Sequence, residues 1–322
     1  MKKVVVTDYA FADLSVEKAI LNSQEYELVS QKVFETEEKL IELVKDADYV
    51  ITQFAPVNAK VIAAMKNAKI IVRYGIGVDN VDLKAAAEKG IPVCNVPDFC
   101  IDEVADHTLA MMLAVTRKIV PCWDVIRKDK KWTLPIPLGG MHVLRELTVG
   151  LVAYGKIARE VALRLKPFKC KILVFDPVVD AAVIEKDGCV PASLDEIITQ
   201  SDLISLHCPC NDKTRFMINK DSIGKMKKGV LLVNAGRGDL VKGEDLIAAL
   251  QSGQIEAAAL DVTNPEPINM DSPLLTMGNV IINAHIASAS ASAVKNLRSS
   301  AAKLVAMRHR GEKLVNIVNG VK

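Results

Sequence analysis

Short apolar runs rich in valine and isoleucine alternate with longer stretches of helical periodicity along most of the chain. In the first hundred residues the predicted strands are 3–7, 49–51, 70–72 and 93–95, and the helical segments between them include 37–46 and 59–67. In the second half the predicted strands are 148–153, 171–175, 203–206, 230–233, 258–260 and 280–282, with helices at 156–166, 193–200, 220–227 and 243–251. The alternation predicts an α/β fold with parallel sheets, and its second part is typical of a doubly wound nucleotide-binding domain.

Three further segments complete the predicted organisation. A long apolar-faced helix begins near Asp102, and a polar stretch at 121–145, which contains Trp123 and Trp132, follows it as a predicted loop. From residue 287 the pattern indicates an alanine-rich helix and a short tail. A chain of 322 residues is long for one hydrophobic core, so we expect two domains.

Composition excludes several classes of protein. The formal charge of +2 provides no basic face for nucleic acid, and the short basic run at 127–131 is better explained as a solvated surface. We predict neither a signal peptide nor a membrane span, because no apolar stretch is long enough, and we expect the protein in the cytoplasm. The seven cysteines are irregularly spaced, so free thiols are predicted and no metal site.

A dinucleotide fingerprint needs a strand, a glycine-rich turn, a helix and an acid about 20 residues on. The turn after strand 148–153 keeps only the middle glycine, Gly155, while Ala153 and Ala158 replace the first and third glycines. Gly155 stands where the backbone must approach a pyrophosphate. The motif alone is weak and fits an ordinary β–turn–helix equally well.

The second strand strengthens this interpretation, because the apolar run 171–175 ends in Asp176. A carboxylate at that strand tip can accept hydrogen bonds from the adenosine ribose and repel a 2′-phosphate, and no Lys or Arg follows within 177–179. We therefore expect NAD rather than NADP. The alternative is that Asp176 serves only as a turn or cap residue.

Three charged residues stand at predicted strand ends, where ligands bind in open α/β sheets. Arg237 offers forked donors that can grip a substrate carboxylate and polarise the neighbouring carbonyl. His285 can give a proton to that carbonyl oxygen, or remove it in the reverse direction, and Glu266 can orient the imidazole and stabilise its charged form. Taken singly, each could be a surface ion pair, a structural histidine or a loop acid, and His207 and His107 are rivals for the proton-transfer role.

The settings of these residues (Asn234–Gly238, Asp261–Pro267 and Asn283–Ser288) resemble the D-isomer-specific 2-hydroxyacid dehydrogenase family, whose arginine, glutamate and histidine follow one another in this order. Further similar segments extend over nearly the whole chain. They are 72–82, 90–97, 103–108 and the S-L-H-x-P element that begins at Ser205, with Thr214 and Arg215.

The resemblance implies two doubly wound α/β domains: a Rossmann NAD-binding domain, residues 101–286, inserted into a discontinuous flavodoxin-like substrate domain, residues 1–100 and 287–322. It implies a site in the cleft between them that closes on a hinge, and a homodimer formed through the helix at 102 and the segment 121–145. Carried over residue by residue, the catalytic residues are Arg237, Glu266 and His285. The implied substrate contacts are Tyr74, Gly75, Ile76 and Gly77. The implied NAD contacts are Gly155, Lys156, Ile157, Asp176, His207, Cys208, Pro209, Thr214, Ala235, Gly236, Asp261 and Ser288.

The sequence says less about the substrate. Phosphoglycerate dehydrogenases of this family carry basic residues in the segment that corresponds to 51–56, and this chain has none there. We therefore expect a small, unphosphorylated 2-hydroxy acid. Two alternatives stay open: an NAD(H)-responsive protein-binding module like the co-repressors to which one bacterial branch of the family is related, and a 3-phosphoglycerate dehydrogenase.

Overall fold

The computed structural model describes residues 1–133 and 140–321. The chain divides into two compact units: unit 1 comprises Met1–Cys100 and the chain from Ala289 onward, and unit 2 comprises Ile101–Ser288. Each unit is an α/β layer structure built on its own parallel sheet.

Unit 1 has a five-stranded sheet in the order β2-β1-β3-β4-β5. The strands are β1 (Lys2–Val6), β2 (Tyr26–Ser30), β3 (Tyr49–Thr52), β4 (Ile71–Arg73) and β5 (Val93–Cys94). The helices are α1 (Ser15–Ile20), α2 (Glu37–Val44), α3 (Ala59–Ala64), α4 (Leu83–Glu88) and, after unit 2, α12 (Ala291–His309). Every residue of β3 is buried, as expected of a parallel strand that is covered on both faces.

Unit 2 has a seven-stranded sheet in the order β12-β11-β10-β9-β6-β7-β8. The strands are β6 (Thr148–Val152), β7 (Lys171–Phe175), β8 (Val190–Pro191), β9 (Leu203–Leu206), β10 (Val230–Asn234), β11 (Ile255–Leu260) and β12 (Val280–Ile282). The helices are α5 (Ile101–Thr116), α6 (Ile119–Asp129), α7 (Lys156–Leu165), α8 (Ala181–Lys186), α9 (Leu194–Gln200), α10 (Lys220–Lys225) and α11 (Gly243–Ser252). The chain runs outward from β6 to β8 and returns to continue from β9, so the strand order reverses between β6 and β9. Ligands bind at such a reversal in open α/β sheets.

Alternation along the strands explains why each sheet has a core on both faces. In β10, Leu231 and Val233 join one apolar cluster, while Val230 and Leu232 join the cluster on the opposite face. Successive side chains of a strand point to opposite faces, so a strand buried on both sides is apolar throughout. The fold class that the sequence predicted is confirmed, and the alanine-rich segment predicted after residue 287 contains the helix α12.

The prediction of a loop over 121–145 is wrong for its first part, which is helical in α6. Pro121 lies in the first turn of that helix, where backbone N–H groups have no intrahelical partner, so it does not break the helix. Residues 134–139 of the proposed interface segment lie outside the described residues. Among the helices of the described part of the chain, none is long and apolar enough to cross a membrane.

Candidate active site

The loop that carries Arg237 leaves the carboxyl end of β10 and is shaped by the buried side chain of Asn234. The side-chain oxygen Oδ1 of Asn234 accepts a hydrogen bond from the Gly236 N–H at 3.0 Å, and its side-chain Nδ2 donates to the Arg237 carbonyl oxygen at 2.9 Å. An asparagine at a strand end commonly bonds to the backbone of the turn that follows. The Arg237 guanidinium donates from Nη1 to the Gly236 carbonyl oxygen at 2.8 Å, so this end of the side chain is held against its own loop.

Gly238 joins this loop to the next one along the sheet edge. A Cβ atom at Gly238 would lie 1.9 Å from the carbonyl oxygen of Thr263, so only glycine fits. The Asn264 side chain also donates a hydrogen bond to the Asp239 carboxylate. The Arg237 loop and the segment that leads to Glu266 are therefore packed against each other.

Glu266 and His285 form a direct pair. The Nδ1 atom of His285 lies 2.6 Å from Oε1 of Glu266, and both side chains are partly exposed, at 41% and 44%. A carboxylate can only accept, so Nδ1 carries the proton and Nε2 is the ring atom left to act on a substrate.

The segment that presents His285 is fastened to the end of β11. The His285 N–H donates to the Asp261 carbonyl oxygen at 2.8 Å. The Asp261 carboxylate is buried and accepts the N–H groups of Ile286 and Ala287 at 2.9 and 3.0 Å. His285 itself has a φ of 53°, in the left-handed region that residues with side chains seldom adopt. Asp261, predicted from the resemblance as a cofactor contact, has its carboxylate engaged in holding this segment.

The glycine turn lies at the carboxyl end of β6, and Gly155 caps the start of α7 with extended backbone (φ −72°, ψ −172°). A Cβ at Gly155 would meet no protein atom within 4 Å, so the space beside it is open to a ligand. Lys156 and Ile157 are the first residues of α7, where backbone N–H groups lack intrahelical partners. This arrangement fits a pyrophosphate.

Two alanines replace glycines of the fingerprint with different consequences. Ala158 lies in the first turn of α7, and its methyl group is packed in the apolar core. Ala153 has a φ of 78°, so a residue with a Cβ occupies a backbone conformation that favours glycine. The sequence identified Ala153 as the unusual position, and the structure shows that its cost is backbone strain.

Asp176 follows β7 and accepts three backbone hydrogen bonds, from the N–H groups of Tyr154, Val178 and Val179 at 2.7, 2.8 and 3.0 Å. Burial acts to raise the pKa of Asp176, but these hydrogen bonds hold it below its ordinary value. The carboxylate therefore stays charged, and its two oxygens together offer about four acceptor positions, enough for a ribose hydroxyl in addition. Asp176 organises the turn, and a carboxylate at this strand tip also fits a ribose.

The residues predicted on the nicotinamide side follow β9. The Nε2 atom of His207 lies 2.9 Å from the Ser205 hydroxyl, and burial lowers the pKa of His207 to about 4, so this imidazole is neutral.

Burial raises the pKa of the Cys208 thiol to about 11, and its Sγ packs on Met217, so this side chain faces the core. The Thr214 hydroxyl donates to the Pro209 carbonyl oxygen at 2.7 Å and closes the loop between them. Ala235 and Gly236 lie in the Arg237 loop, and Ser288 follows the His285 segment.

The predicted substrate turn belongs to unit 1 and begins where β4 ends. The Tyr74 ring is buried and its hydroxyl donates to the buried Glu17 at 2.9 Å, so only the backbone of Tyr74 is available at the turn. Gly75 has a φ of 147°, and its carbonyl oxygen accepts from the Val96 N–H. The Ile76 carbonyl oxygen accepts from the Asn95 side chain, so both bonds come from the segment after β5. The glycine at 75 is thus required by the backbone.

Sequence reasoning gave no role to several residues that build the site. Asn234 and Gly238 stood inside the quoted motif, and the signal that marks them is a polar turn residue and a glycine directly after a strand. Asn283, which bonds to His107 at 2.8 Å, had no local signal because its partner is 176 positions away. Within the described part of the chain, no group of three His, Cys, Asp or Glu residues could hold a metal ion.

A doubly wound parallel sheet with a histidine–carboxylate pair and an arginine loop at its carboxyl edge defines the class of nucleotide-dependent dehydrogenases. Sequence similarity narrows this class to one family. Residues 109–287 match the family model described as "D-isomer specific 2-hydroxyacid dehydrogenase, NAD binding domain". The chain belongs to this family, and unit 2 contains its NAD-binding domain.

Three relatives illustrate the similarity. The chain is 37% identical to a hydroxypyruvate reductase of Thermotoga maritima, over 88% of this chain and 92% of the relative. It is 38% identical to a D-3-phosphoglycerate dehydrogenase of Archaeoglobus fulgidus, over 88% of this chain but 53% of the relative, so it spans about half the length of that curated relative. The crystal structure of D-lactate dehydrogenase from Aquifex aeolicus, complexed with NAD and lactic acid, superposes with a TM-score of 0.85 at 28% identity over 96% of each chain.

Proposed function

We propose that this protein is an NAD-dependent oxidoreductase that interconverts a small D-2-hydroxy acid and its 2-keto acid. The observation that carries the proposal is the 2.6 Å contact between His285 Nδ1 and Glu266 Oε1, on strand ends next to the Arg237 loop. That arrangement provides a charged fork for a carboxylate and a ring nitrogen for proton transfer.

In the direction of reduction, the Arg237 guanidinium binds the carboxylate of the 2-keto acid and polarises its carbonyl. NADH, when bound, supplies the hydride to the keto carbon. Nε2 of the doubly protonated His285 ring donates its proton to the carbonyl oxygen, which becomes the hydroxyl group. Glu266 faces Nδ1 and stabilises the imidazolium before the transfer, while it keeps Nε2 directed away from itself. Oxidation reverses these steps, with Nε2 as the base.

NAD is the proposed cofactor because Asp176 is held charged at the tip of β7. A 2′-phosphate placed against this carboxylate would be repelled. The cation that acts on Asp176 is Arg159, whose guanidinium donates from Nε to the Tyr154 carbonyl oxygen at 3.2 Å and stacks on the Tyr154 ring. From the open space beside Gly155 and the charged carboxylate at the tip of β7, we propose that Gly155, Lys156 and Ile157 bind the pyrophosphate and that Asp176 binds the ribose.

A small unphosphorylated substrate with an apolar side chain is the favoured class. The Asp8 carboxylate accepts the N–H groups of Gln53 and Phe54 at 3.0 and 2.7 Å, and the Phe54 side chain is 63% exposed. The segment 51–56 thus presents a phenyl ring and a bound carboxylate, which do not suit a phosphate.

A 3-phosphoglycerate dehydrogenase is the second candidate, because the 38% identity to such an enzyme favours it. In the register of the sheet, Arg73 of β4 lies beside Thr52 of β3, so it provides a cation next to the segment 51–56. Activity with 3-phosphohydroxypyruvate separates the two candidates directly.

We further propose a homodimer that works in the cytoplasm. Ile119, Trp123 and Ile126 stand four and three positions apart on α6, so they share one face, and they are 55%, 57% and 37% exposed. An apolar stripe of this kind on a surface helix fits a partner copy. Among the described residues, which include all seven cysteines, no disulfide forms, which suits a reducing compartment.

Light scattering on the purified protein tests the dimer. Trp123→Glu should shift the mass toward the monomer, while Val178→Glu, at a side chain that is 88% exposed, should leave it unchanged. A monomeric wild type would contradict this part of the proposal.

The activity is tested by following NADH oxidation with a panel of 2-keto acids. The panel comprises glyoxylate, pyruvate, hydroxypyruvate, phenylpyruvate and 3-phosphohydroxypyruvate. Turnover of an unphosphorylated acid is the expected result, and preference for the phosphorylated acid would favour the second candidate. Tight NADH binding without turnover of any member would contradict an enzymatic role and favour an NAD(H)-responsive binding module.

A further inference from the structure

His107, a residue of α5 outside the Arg237–Glu266–His285 set, contacts the segment that presents His285. We propose that His107 is a positioning residue for His285: its imidazole accepts a hydrogen bond from Asn283 and so fixes the segment 283–287 from the helix side. The proposal rests on the proposed function for the role given to His285.

The geometry of this contact is specific. His107 Nε2 lies 2.8 Å from Nδ2 of Asn283 and 3.8 Å from Oδ1 of Asp261. The His107 side chain is 24% exposed, and the Asp261 side chain is almost fully buried. One imidazole on α5 therefore reaches the residue two places before His285 and lies beside the carboxylate that anchors the two residues after it.

The backbone of the segment is anchored by the last residue of β11 and by Asp261, which follows it. The Asn283 N–H donates to the Leu260 carbonyl oxygen at 2.8 Å, and Asp261 accepts from His285, Ile286 and Ala287. These bonds fix the backbone along the strand edge. They leave the Asn283 side chain as the point where the segment is tied to the neighbouring helix.

The conformation of His285 explains why a second anchor matters. Its φ of 53° is strained for a residue with a Cβ, so the segment relaxes unless its surroundings hold it. Relaxation would turn the imidazole away from Glu266, and misplacement by about 1 Å is enough to lower a catalytic rate by about a hundredfold.

The contact also defines the tautomer of His107 that can hold the segment. The Asn283 amide nitrogen is a donor, so His107 Nε2 must accept, and the proton of the neutral ring lies on Nδ1. A proton on Nε2 would face the amide hydrogens and favour Asp261 Oδ1, which already accepts from Ile286. The neutral Nδ1–H form is the one that holds the segment.

The first test compares variants by stopped-flow measurement of hydride transfer with the best 2-keto acid substrate. His107→Leu and Asn283→Ala should each slow hydride transfer about 10- to 100-fold, and the double variant should be no slower than the worse single one. NADH affinity should change less than about twofold, since His107 and Asn283 do not bond to Gly155, Lys156, Ile157 or Asp176, the groups proposed for the pyrophosphate and the ribose. His107→Gln, whose side-chain carbonyl can accept from Asn283, should restore most of the rate.

His142→Leu is the matched control, because His142 belongs to the same unit, is 30% exposed and bonds to Glu256 at the start of β11. It should leave hydride transfer unchanged. Rates of His107→Leu and Asn283→Ala equal to the wild type, or fully additive losses, would overturn the proposal. If His107→Leu does not fold, Asn283→Ala and His107→Gln still decide it.

The second test does not depend on activity, so it separates this inference from the proposed function. The chain has five histidines, which allows their ring nitrogens to be assigned by ¹⁵N NMR with single substitutions. The spectrum should show His107 as the Nδ1–H tautomer, and Asn283→Ala should shift the ring resonances of His285. An Nε2–H tautomer at His107, or an unchanged His285 in Asn283→Ala, would overturn the proposal even in a protein that reduces no 2-keto acid.

Discussion

The α-carbon of Gly238 lies directly on the backbone of Thr263, so that a side chain at this position would come within 1.9 Å of the Thr263 carbonyl oxygen. Gly238 follows Arg237, and Thr263 stands three residues before Glu266. The contact therefore sets the spacing between the loop that we propose to bind the substrate and the loop that we propose to support the acid–base histidine.

Gly238→Ala is expected to separate these two loops. We predict a loss of about a hundredfold in kcat/KM, because catalytic groups displaced by about 1 Å lose rates of that order. Steady-state kinetics with the best 2-keto acid measures this. The control is Gly243→Ala, where the new Cβ would lie 3.6 Å from the Asn264 carbonyl oxygen, an ordinary contact. Equal kinetics for the two variants would refute the coupling.

Ala153→Gly is expected to stabilise unit 2. Ala153 has a φ of 78°, and relief of that strain outweighs the extra entropy of glycine in the unfolded chain, for a net gain of about 0.5–1 kcal/mol. Urea unfolding measures the change. Ala158→Gly, which removes a buried methyl group from the first turn of α7, should instead destabilise by about 1 kcal/mol. A loss of stability in both variants would show that Ala153 is not strained.

Stability should fall in acid partly through His207. Its folded pKa of about 4 lies below the unfolded value of 6.5, so between these values the unfolded chain binds a proton that the folded protein does not. The wild type therefore loses part of its stability as the pH falls from about 6.5 to about 4. His207→Asn should reduce this loss by up to about 3 kcal/mol at pH 4, while the difference between the two proteins stays constant above pH 7. Parallel acid curves for both proteins would contradict the neutral state of His207.

Much of this fold could be predicted from the sequence because its strands are buried on both faces. Val230–Val233 reads as an uninterrupted apolar run for that reason, and it lies in β10. α6 was missed because the polar stretch 121–145, with Pro121 and Trp123, reads as a loop. The short strand β8 (Val190–Pro191) was missed because two residues carry no periodicity.

In the candidate site, too, some features could be predicted from the sequence and others could not. Residues whose chemistry is visible, such as Arg237, Glu266 and His285, could be selected from strand ends and motif order. Contacts that depend on tertiary packing could not: nothing in the sequence reveals that Gly238 meets Thr263, or that His107 of α5 meets Asn283 before His285. The Asp176 carboxylate was predicted to bind a ribose, and its three bonds to backbone N–H groups became visible only in the fold.

Asp176 should also decide between the two nicotinamide cofactors. The wild type is expected to bind NADH at least about tenfold more tightly than NADPH, because the carboxylate repels the 2′-phosphate. Asp176→Asn removes the charge and keeps an acceptor, so it should narrow this ratio mainly by improving NADPH binding. Fluorescence titration with both cofactors measures the ratio. A wild type that binds NADPH as tightly as NADH would contradict the assignment.

The most direct measurement of the central claim is the rate of hydride transfer in His285→Gln at saturating NADH, with the 2-keto acid that the wild type reduces fastest. The rate should fall by about 10²- to 10⁴-fold, the usual contribution of a positioned general acid, while the Kd for NADH stays within about twofold of the wild type. His142→Gln should keep the wild-type rate. Hydride transfer at the wild-type rate in His285→Gln would contradict the assignment of His285 and Glu266 as the acid–base pair.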